Sequence, residues 1–233
     1  MRRSDPEAVE IPDAADLPAP AQRVIDALAP MISTERMERI DAVIAARIGN
    51  VVPVLEEMAD PHNGAAVLRT ADALGIHEIH VIEARNRFLV SRGVARGTAH
   101  WLDLHRHRDG RACIDELRAR QFRVLVASTE GTVEPEEIAR IPRVAIVFGN
   151  EHAGVSPSLR ERVDGVYRIP MRGFVESLNV SVAAAITLWA ATRDRRGDLP
   201  DAAKTALRAR FMMASVRDAP LVVREILARR RGT

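Results

Sequence analysis

"VVPVLEEMADPHNGAAVLRTADALGIHEIHVIE", residues 51–83, decides the fold class. Its opening "VVPVLEEM" reads as a short apolar strand. "NGAAVLRTADAL" reads as a helix ended by Gly75, since glycine readily takes the left-handed conformation that closes a helix. "IHEIHVIE" is a second strand. The alternation continues outward. "HWLDLHRH" reads as a strand, "GRACIDELRAR" as a helix, and "FRVLVAST" and "RVAIVFG" as strands. "VSPSLRERV" is a short helix, "GVYRIP" a strand, and a helix follows over about 179–195. Short apolar strands alternating with helices predict an α/β fold with a mainly parallel sheet flanked by helices.

Helical stretches lie on both sides of that run. "AQRVIDALAP" and "STERMERIDAVIAARI" precede it, the second with Met37, Ile40, Ile44 and Ile48 at helical spacing. Two more helices are predicted near 200–213 and 218–230. The expected organisation is a flexible arm over 1–20, an N-terminal helical extension over 21–49, a core over 50–195 and a C-terminal helical extension over 196–233. The arm is rich in proline, alanine and acidic residues, a composition that favours disorder.

The 233 residues suffice for a sizeable core, and 47% of them are hydrophobic. Net charge is +2, yet Lys204 is the sole lysine among 34 basic residues. Arginine forks grip phosphate at two points, which fits a nucleic-acid partner and equally an arginine-favouring genome. Aromatic residues make up only 3%, so an RNA partner is expected to be held by backbone and shape rather than by base stacking. Cys113 is the only cysteine, which excludes an internal disulfide and points to a reduced compartment. Its expected role is packing. Two arginines near the start have no apolar run after them, unlike a secretory signal. The longest apolar run, "VSVAAAITLWAA", is too short to cross a membrane. A soluble cytoplasmic protein is expected.

Ligand sites of parallel α/β sheets lie beyond the carboxyl ends of the strands. Three polar loops belong there: the one carrying His62, Asn63 and, about two turns on, Arg69; "FGNEHAGVS"; and "MRGFVESLN". No G-x-G-x-x-G follows the first strand and no P-loop is present, which argues against a Rossmann dehydrogenase and a P-loop NTPase. No cysteine–histidine set has zinc spacing. "HRH" at 105–107 has the wrong spacing for one helix face and is expected to decorate a strand end.

"PHNGAAVLRTADALG", "VAIVFGNEHAGVS" and "IPMRGFVESLNVSVAAA" resemble, in order and spacing, the three motifs of the SPOUT superfamily. More narrowly they resemble the TrmH-type RNA ribose 2′-O-methyltransferases, and "GTAHWLDL" is similar to a glycine-to-tryptophan stretch in those enzymes. The resemblance covers about residues 50–195. It implies a C-terminal deep trefoil knot, S-adenosyl-L-methionine bound by the knot loops, and a homodimer. The helix after the third motif would then pack in the dimer interface, with Ala183, Ala184 and Ala185 allowing close approach. Gly64 stands where relatives often carry a larger residue and is expected to loosen the start of its helix.

Carried over residue by residue, the resemblance assigns Asn63, Arg69, Glu151, Ser177 and Asn179 to catalysis. It assigns the surroundings of Ala127, Gly149, Asn150, Ile169, Met171 and Leu178 to the cofactor. It offers Arg69 as the base, but a guanidinium is normally a donor only. The alternative is that Arg69 grips a phosphate and offsets charge as the hydroxyl proton leaves. Asn63 would orient the ribose or Arg69, Glu151 would hold an arginine or the substrate, and Ser177 and Asn179 would fix the loop. No metal is expected, because the cofactor is itself the electrophile.

The expected reaction is methylation of a tRNA ribose 2′-hydroxyl, at guanosine 18 of the D-loop. The flanking helices and their arginines (Arg36, Arg39, Arg47, Arg208, Arg210 and Arg229 to Arg231) favour tRNA. Ribosomal RNA is the alternative substrate, and a catalytically silent RNA-binding dimer the alternative of another class.

Overall fold

The computed structural model describes residues 8–10, 17–91, 97–128 and 131–229. The other residues, including most of the proline-rich arm and Arg230 and Arg231, lie outside the described part. The chain divides into two compact units. One holds Ile48–Arg195 with the described part of Met1–Asp13. The other holds Ala14–Arg47 with Arg196–Thr233, so both helical extensions fall in one unit.

In chain order the elements are β1 (Ala8–Glu10), α1 (Ala21–Leu28), α2 (Thr34–Ala45), β2 (Val51–Glu56), α3 (Pro61–Ala73), β3 (Glu78–Ile82) and β4 (Leu89–Ser91). There follow β5 (Asp103–His107), α4 (Gly110–Ala119), β6 (Arg123–Ala127), α5 (Pro135–Ile138) and β7 (Val144–Phe148). The last are α6 (Pro157–Arg160), β8 (Gly165–Tyr167), α7 (Val180–Thr192), α8 (Asp201–Ser215) and α9 (Ala219–Arg229).

Six strands form a parallel sheet in the order β5-β3-β2-β7-β6-β8. Every residue of β2, β3 and β7 is buried, because helices cover both faces. The strand period of two sorts the side chains. Val51 and Leu55 face a core completed by Leu68 and Ala71 of α3 and by Ala184, Leu188 and Ala191 of α7. Val52 and Val54 face the other core, with Cys113, Ile114 and Leu117 of α4 and Leu159 of α6. The chain thus has an α/β fold with a mainly parallel sheet flanked by helices. Ala184 is enclosed by its own chain, which corrects its expected place in a dimer interface.

Ala8–Glu10, within the stretch expected to be flexible, pairs antiparallel with Leu89–Ser91. Gly64 lies in the first turn of α3. It is buried, and a Cβ there would lie 2.8 Å from the Phe88 ring, which fills the space a side chain would need.

The second unit packs Val24, Ile25 and Leu28 of α1 and Ile40 and Ile44 of α2 with Leu207, Phe211 and Met212 of α8 and Val223 of α9, all buried. Ser33 caps α2 by accepting from the Arg36 N–H at 3.3 Å. The arginines here are not all outward-facing. Arg47 is fully buried, its guanidinium 5.8 Å from the Phe211 ring centre. Arg208 clasps the Asp41 carboxylate. Arg36 donates to Ser215 Oγ at 3.2 Å. Arg39 and Arg229 are exposed and Arg210 is half-buried. No helix among the described residues is long and apolar enough to cross a membrane.

Candidate active site

The site begins where β2 ends. Asp60 accepts from the His62 N–H at 2.9 Å and caps α3, with Pro61 in the first turn. That start turns Asn63 inward, where it is buried. Asn63 Nδ2 donates to Glu151 Oε1 at 3.0 Å, and its Oδ1 accepts from Asn179 Nδ2 at 3.0 Å. Glu151 also accepts from the N–H groups of Ala59, at 2.9 Å, and Asp60, at 3.1 Å. Asn179 caps α7, its Oδ1 accepting from Ser181 N at 2.8 Å. One polar chain therefore ties together the loops after β2 and β7 and the loop before α7.

Burial works to raise the Glu151 carboxyl. The hydrogen bonds from Asn63, Ala59 and Asp60 outweigh it and hold the group below the ordinary carboxylate range. No arginine engages Glu151 among the described residues. Glu151 fastens the entrance of α3.

The loop after β7 folds back on itself. Asn150 N donates to Gly154 O at 3.1 Å and Gly154 N to Asn150 O at 2.8 Å. Gly154 has φ +66°, and a Cβ on Gly149 would lie 2.3 Å from the Gly154 carbonyl carbon. Only glycine fits at Gly149 without shifting the loop. The Asn150 side chain is committed to the loop: it donates to Glu57 O at 2.7 Å and accepts from His152 and Ala153 N–H.

Ala127, Gly149 and Ile169 stand at or just beyond the carboxyl ends of the adjacent strands β6, β7 and β8, with Met171 and Leu178 further along the same loop. All five are half-buried. Main-chain groups for reading a ring edge and small or aliphatic side chains for its faces suit an adenosyl group, and no bulky charge stands among them.

Two assigned residues stay outside the polar chain. Ser177 is exposed, and no hydrogen bond engages its side chain among the described residues. Arg69 is exposed and equally unengaged. It lies six residues beyond Asn63 on α3, about 9 Å along the axis and about 120° around it. Two buried carboxylates escaped notice in the sequence. Glu56 accepts from Ser156 N at 2.8 Å, and Glu57 accepts from Arg85 N at 2.8 Å and Asn86 N at 3.1 Å. The "EE" closing an apolar strand is the signal that could have found them.

The SpoU rRNA Methylase family matches residues 50–189, more than half of the chain. The chain belongs to this family. Among relatives, the tRNA (guanosine(18)-2'-O)-methyltransferase of Borreliella burgdorferi is 29% identical over 200 residues, covering 83% of this chain and 92% of that protein. The protein of the same name from Thermus thermophilus is 36% identical, covering 69% and 83%. A 23S rRNA (guanosine-2'-O-)-methyltransferase from Coxiella burnetii is 36% identical, covering 63% of this chain and 60% of that protein. Of solved structures, the A. aeolicus TrmH/SpoU tRNA modifying enzyme superposes with a TM-score of 0.70 at 27% identity, covering 79% of this chain and 98% of that one. An AdoMet-bound rRNA methyltransferase from Sinorhizobium meliloti gives 0.56 at 28% identity, covering 66% and 59%. In this SpoU chain, the family match contains every residue of the polar chain described above.

Proposed function

We propose that this protein transfers a methyl group from S-adenosyl-L-methionine to the ribose 2′-hydroxyl of guanosine 18 in the tRNA D-loop. The observation that carries the reading is the Asn63–Glu151–Asn179 chain, which joins three loops at the carboxyl ends of parallel strands in a chain of this family. For tRNA in particular, the similarity to the Borreliella protein spans 200 residues and so reaches beyond the 50–189 core.

The cofactor supplies a methyl group already activated on a sulfonium. The protein must align the hydroxyl with it and manage the departing proton. Ala127, Gly149, Ile169, Met171 and Leu178 line the cofactor's seat. Asn63, Glu151 and Asn179 fix the loops that form it, and Ser177 stands free at the rim to meet the substrate. Arg69 grips the phosphate beside the target ribose and offsets charge on the oxygen as its proton leaves.

The loops after β6, β7 and β8 are read as a deep trefoil knot. Supporting this, Gly131 presses so closely on β8 that a Cβ would lie 2.3 Å from the Tyr167 carbonyl carbon. Val133 pairs with Tyr167 beside it. The protein acts as a cytoplasmic homodimer. Val182, Ile186 and Trp189, at spacings of four and three on α7, form an apolar face 46%, 40% and 55% exposed, which a second copy would cover. Arg69, remote from the polar chain of its own protomer, would then serve the partner's site.

Methyl transfer from labelled S-adenosyl-L-methionine to unmodified tRNA and, separately, to ribosomal RNA tests this, with the methylated nucleotide mapped. Label on the guanosine 18 ribose is expected. Label on ribosomal RNA alone would keep the chemistry and move the substrate. No label on either RNA, with the cofactor bound, would leave an RNA-binding dimer.

A further inference from the structure

Away from the strand ends, at the β5 edge of the sheet, the chain gathers three histidines and its only cysteine. The spacing of "HRH" that is wrong for a helix face is right for a strand: His105 and His107, two residues apart on β5, point to the same side. The parallel register sets His80 of β3 opposite His105 and Ile82 opposite His107. The His80 ring lies between the other two, its centroid 4.7 Å from His105 and 4.9 Å from His107. Cys113, in the first turn of α4, comes down on this group from above the sheet.

Three ligand atoms converge there. His80 Nδ1 lies 2.9 Å from His107 Nε2 and 3.7 Å from Cys113 Sγ, and the three atoms are all within 4.8 Å of one another. His80 and Cys113 are fully buried. A tetrahedral zinc ion with Zn–N near 2.05 Å and Zn–S near 2.3 Å sets nitrogens about 3.3 Å apart and nitrogen and sulfur about 3.6 Å apart. The His80–His107 and His80–Cys113 separations need to change by only a few tenths of an ångström. Without an ion, the single Nδ1 position faces two groups at once and can satisfy only one of them.

The far side of the ring fits the same arrangement. His80 Nε2 is buried with no hydrogen-bond partner among the described residues, and the Glu78 carboxylate faces it at 3.7 Å. Arg120 donates to the same carboxylate oxygen at 2.5 Å. A carboxylate behind a histidine favours the N–H on Nε2, leaving the Nδ1 lone pair free to bind metal. Burial pushes the Cys113 thiol up to about 12, so the metal-free chain carries S–H there. As the sulfur–metal bond forms, that proton passes to solvent and each imidazole donates its lone pair. Histidine with thiolate selects borderline-soft ions, zinc foremost, over magnesium or calcium.

We propose that His80 Nδ1, His107 Nε2 and Cys113 Sγ form a binding site for one zinc-like divalent transition-metal ion, which pins the edge strand β5 and the start of α4 to β3. Water takes the fourth position, beside the half-buried His107.

The test titrates Co²⁺ into metal-free full-length protein and follows its absorption. One equivalent per chain is expected, with tetrahedral d–d bands, a thiolate-to-cobalt charge-transfer band, and loss of both on adding Zn²⁺. Cys113→Ser and His107→Gln should each weaken binding at least tenfold with an unchanged circular dichroism spectrum. The wild-type cobalt spectrum decides the matter even if a variant fails to fold. Absence of the thiolate band at millimolar Co²⁺ would overturn the proposal. So would one equivalent bound with no thiolate band and unaffected by Cys113→Ser, which would place the ion at Glu78, His80 and His105 instead.

Discussion

Asn179 donates its side-chain amide to Asn63 across 3.0 Å of space and 116 residues of sequence. Each of these two residues sits at the start of a helix: Asn63 also donates to Glu151 in a further loop, and Asn179 also accepts from Ser181 of its own helix. The first turn of α3 is thereby keyed to the cap of α7, with Glu151 as the third member. A polar chain of this kind is stable only while every member is satisfied.

Asn63→Ala removes the shared member and strands the half-buried Glu151 and the Asn179 amide. It is expected to destabilise the protein by about 1–3 kcal/mol, read by denaturant unfolding. A double-mutant cycle of Asn63→Ala with Glu151→Ala should give a coupling of about 0.5–3 kcal/mol. Strict additivity would mean that the 3.0 Å contact does not hold in solution.

Because the Glu151 carboxyl is held below its ordinary value of 4.5 in the folded protein, its ties contribute fully above that value. They are lost as pH falls through the lowered folded value. The stability difference between wild type and Glu151→Gln should therefore be present at pH 7 and shrink below about pH 4. Thermal melts of both proteins from pH 3 to 7 check it. A difference that grew on acidification would contradict the sign.

A methyl group on Gly149 has no room, with Gly154 and Val155 backbone atoms 2.3 Å from its position. Gly149→Ala should force the loop after β7 open and weaken S-adenosyl-L-methionine at least tenfold, about 1.4 kcal/mol. Calorimetric titration reads this directly. Unchanged affinity would remove this loop from the cofactor's seat.

The open face of α7 is the dimer surface in the proposed assembly. Trp189→Glu should give monomers in light scattering and abolish transfer together with dimerisation. Arg69→Ala should lose turnover while keeping cofactor affinity. Mixed with Gly149→Ala and allowed to exchange subunits, it should recover about a quarter of wild-type activity, since half of the dimers then hold one intact site. No recovery would place Arg69 and the cofactor in the same protomer.

Tyr167, fully buried on β8, accepts a hydrogen bond at 3.1 Å from Thr187 of α7. Tyr167→Phe leaves the threonine hydroxyl buried and alone, and should cost about 1–3 kcal/mol with no effect on dimerisation. A neutral result in thermal unfolding would mean that water reaches Thr187.

The sequence alone determined the α/β class, the parallel sheet and the three polar loops. Those follow from local patterns: short apolar strands, helical periodicity, and glycine, proline or asparagine where the chain must turn. Asn63, Glu151 and Asn179 were legible as polar residues of those three loops. The tertiary structure decided what each one touches. Glu151 grips the Ala59 and Asp60 backbone, Gly64 yields its space to Phe88, Arg47 is buried beneath Phe211, and Ala184 faces its own core. The meeting of His80, His107 and Cys113 was equally hidden, because it depends on the register of β3 against β5 and on where α4 crosses the sheet. Periodicity along a chain assigns a side chain to a face. Strand order, register and helix placement decide which faces meet, and no local spacing carries that information.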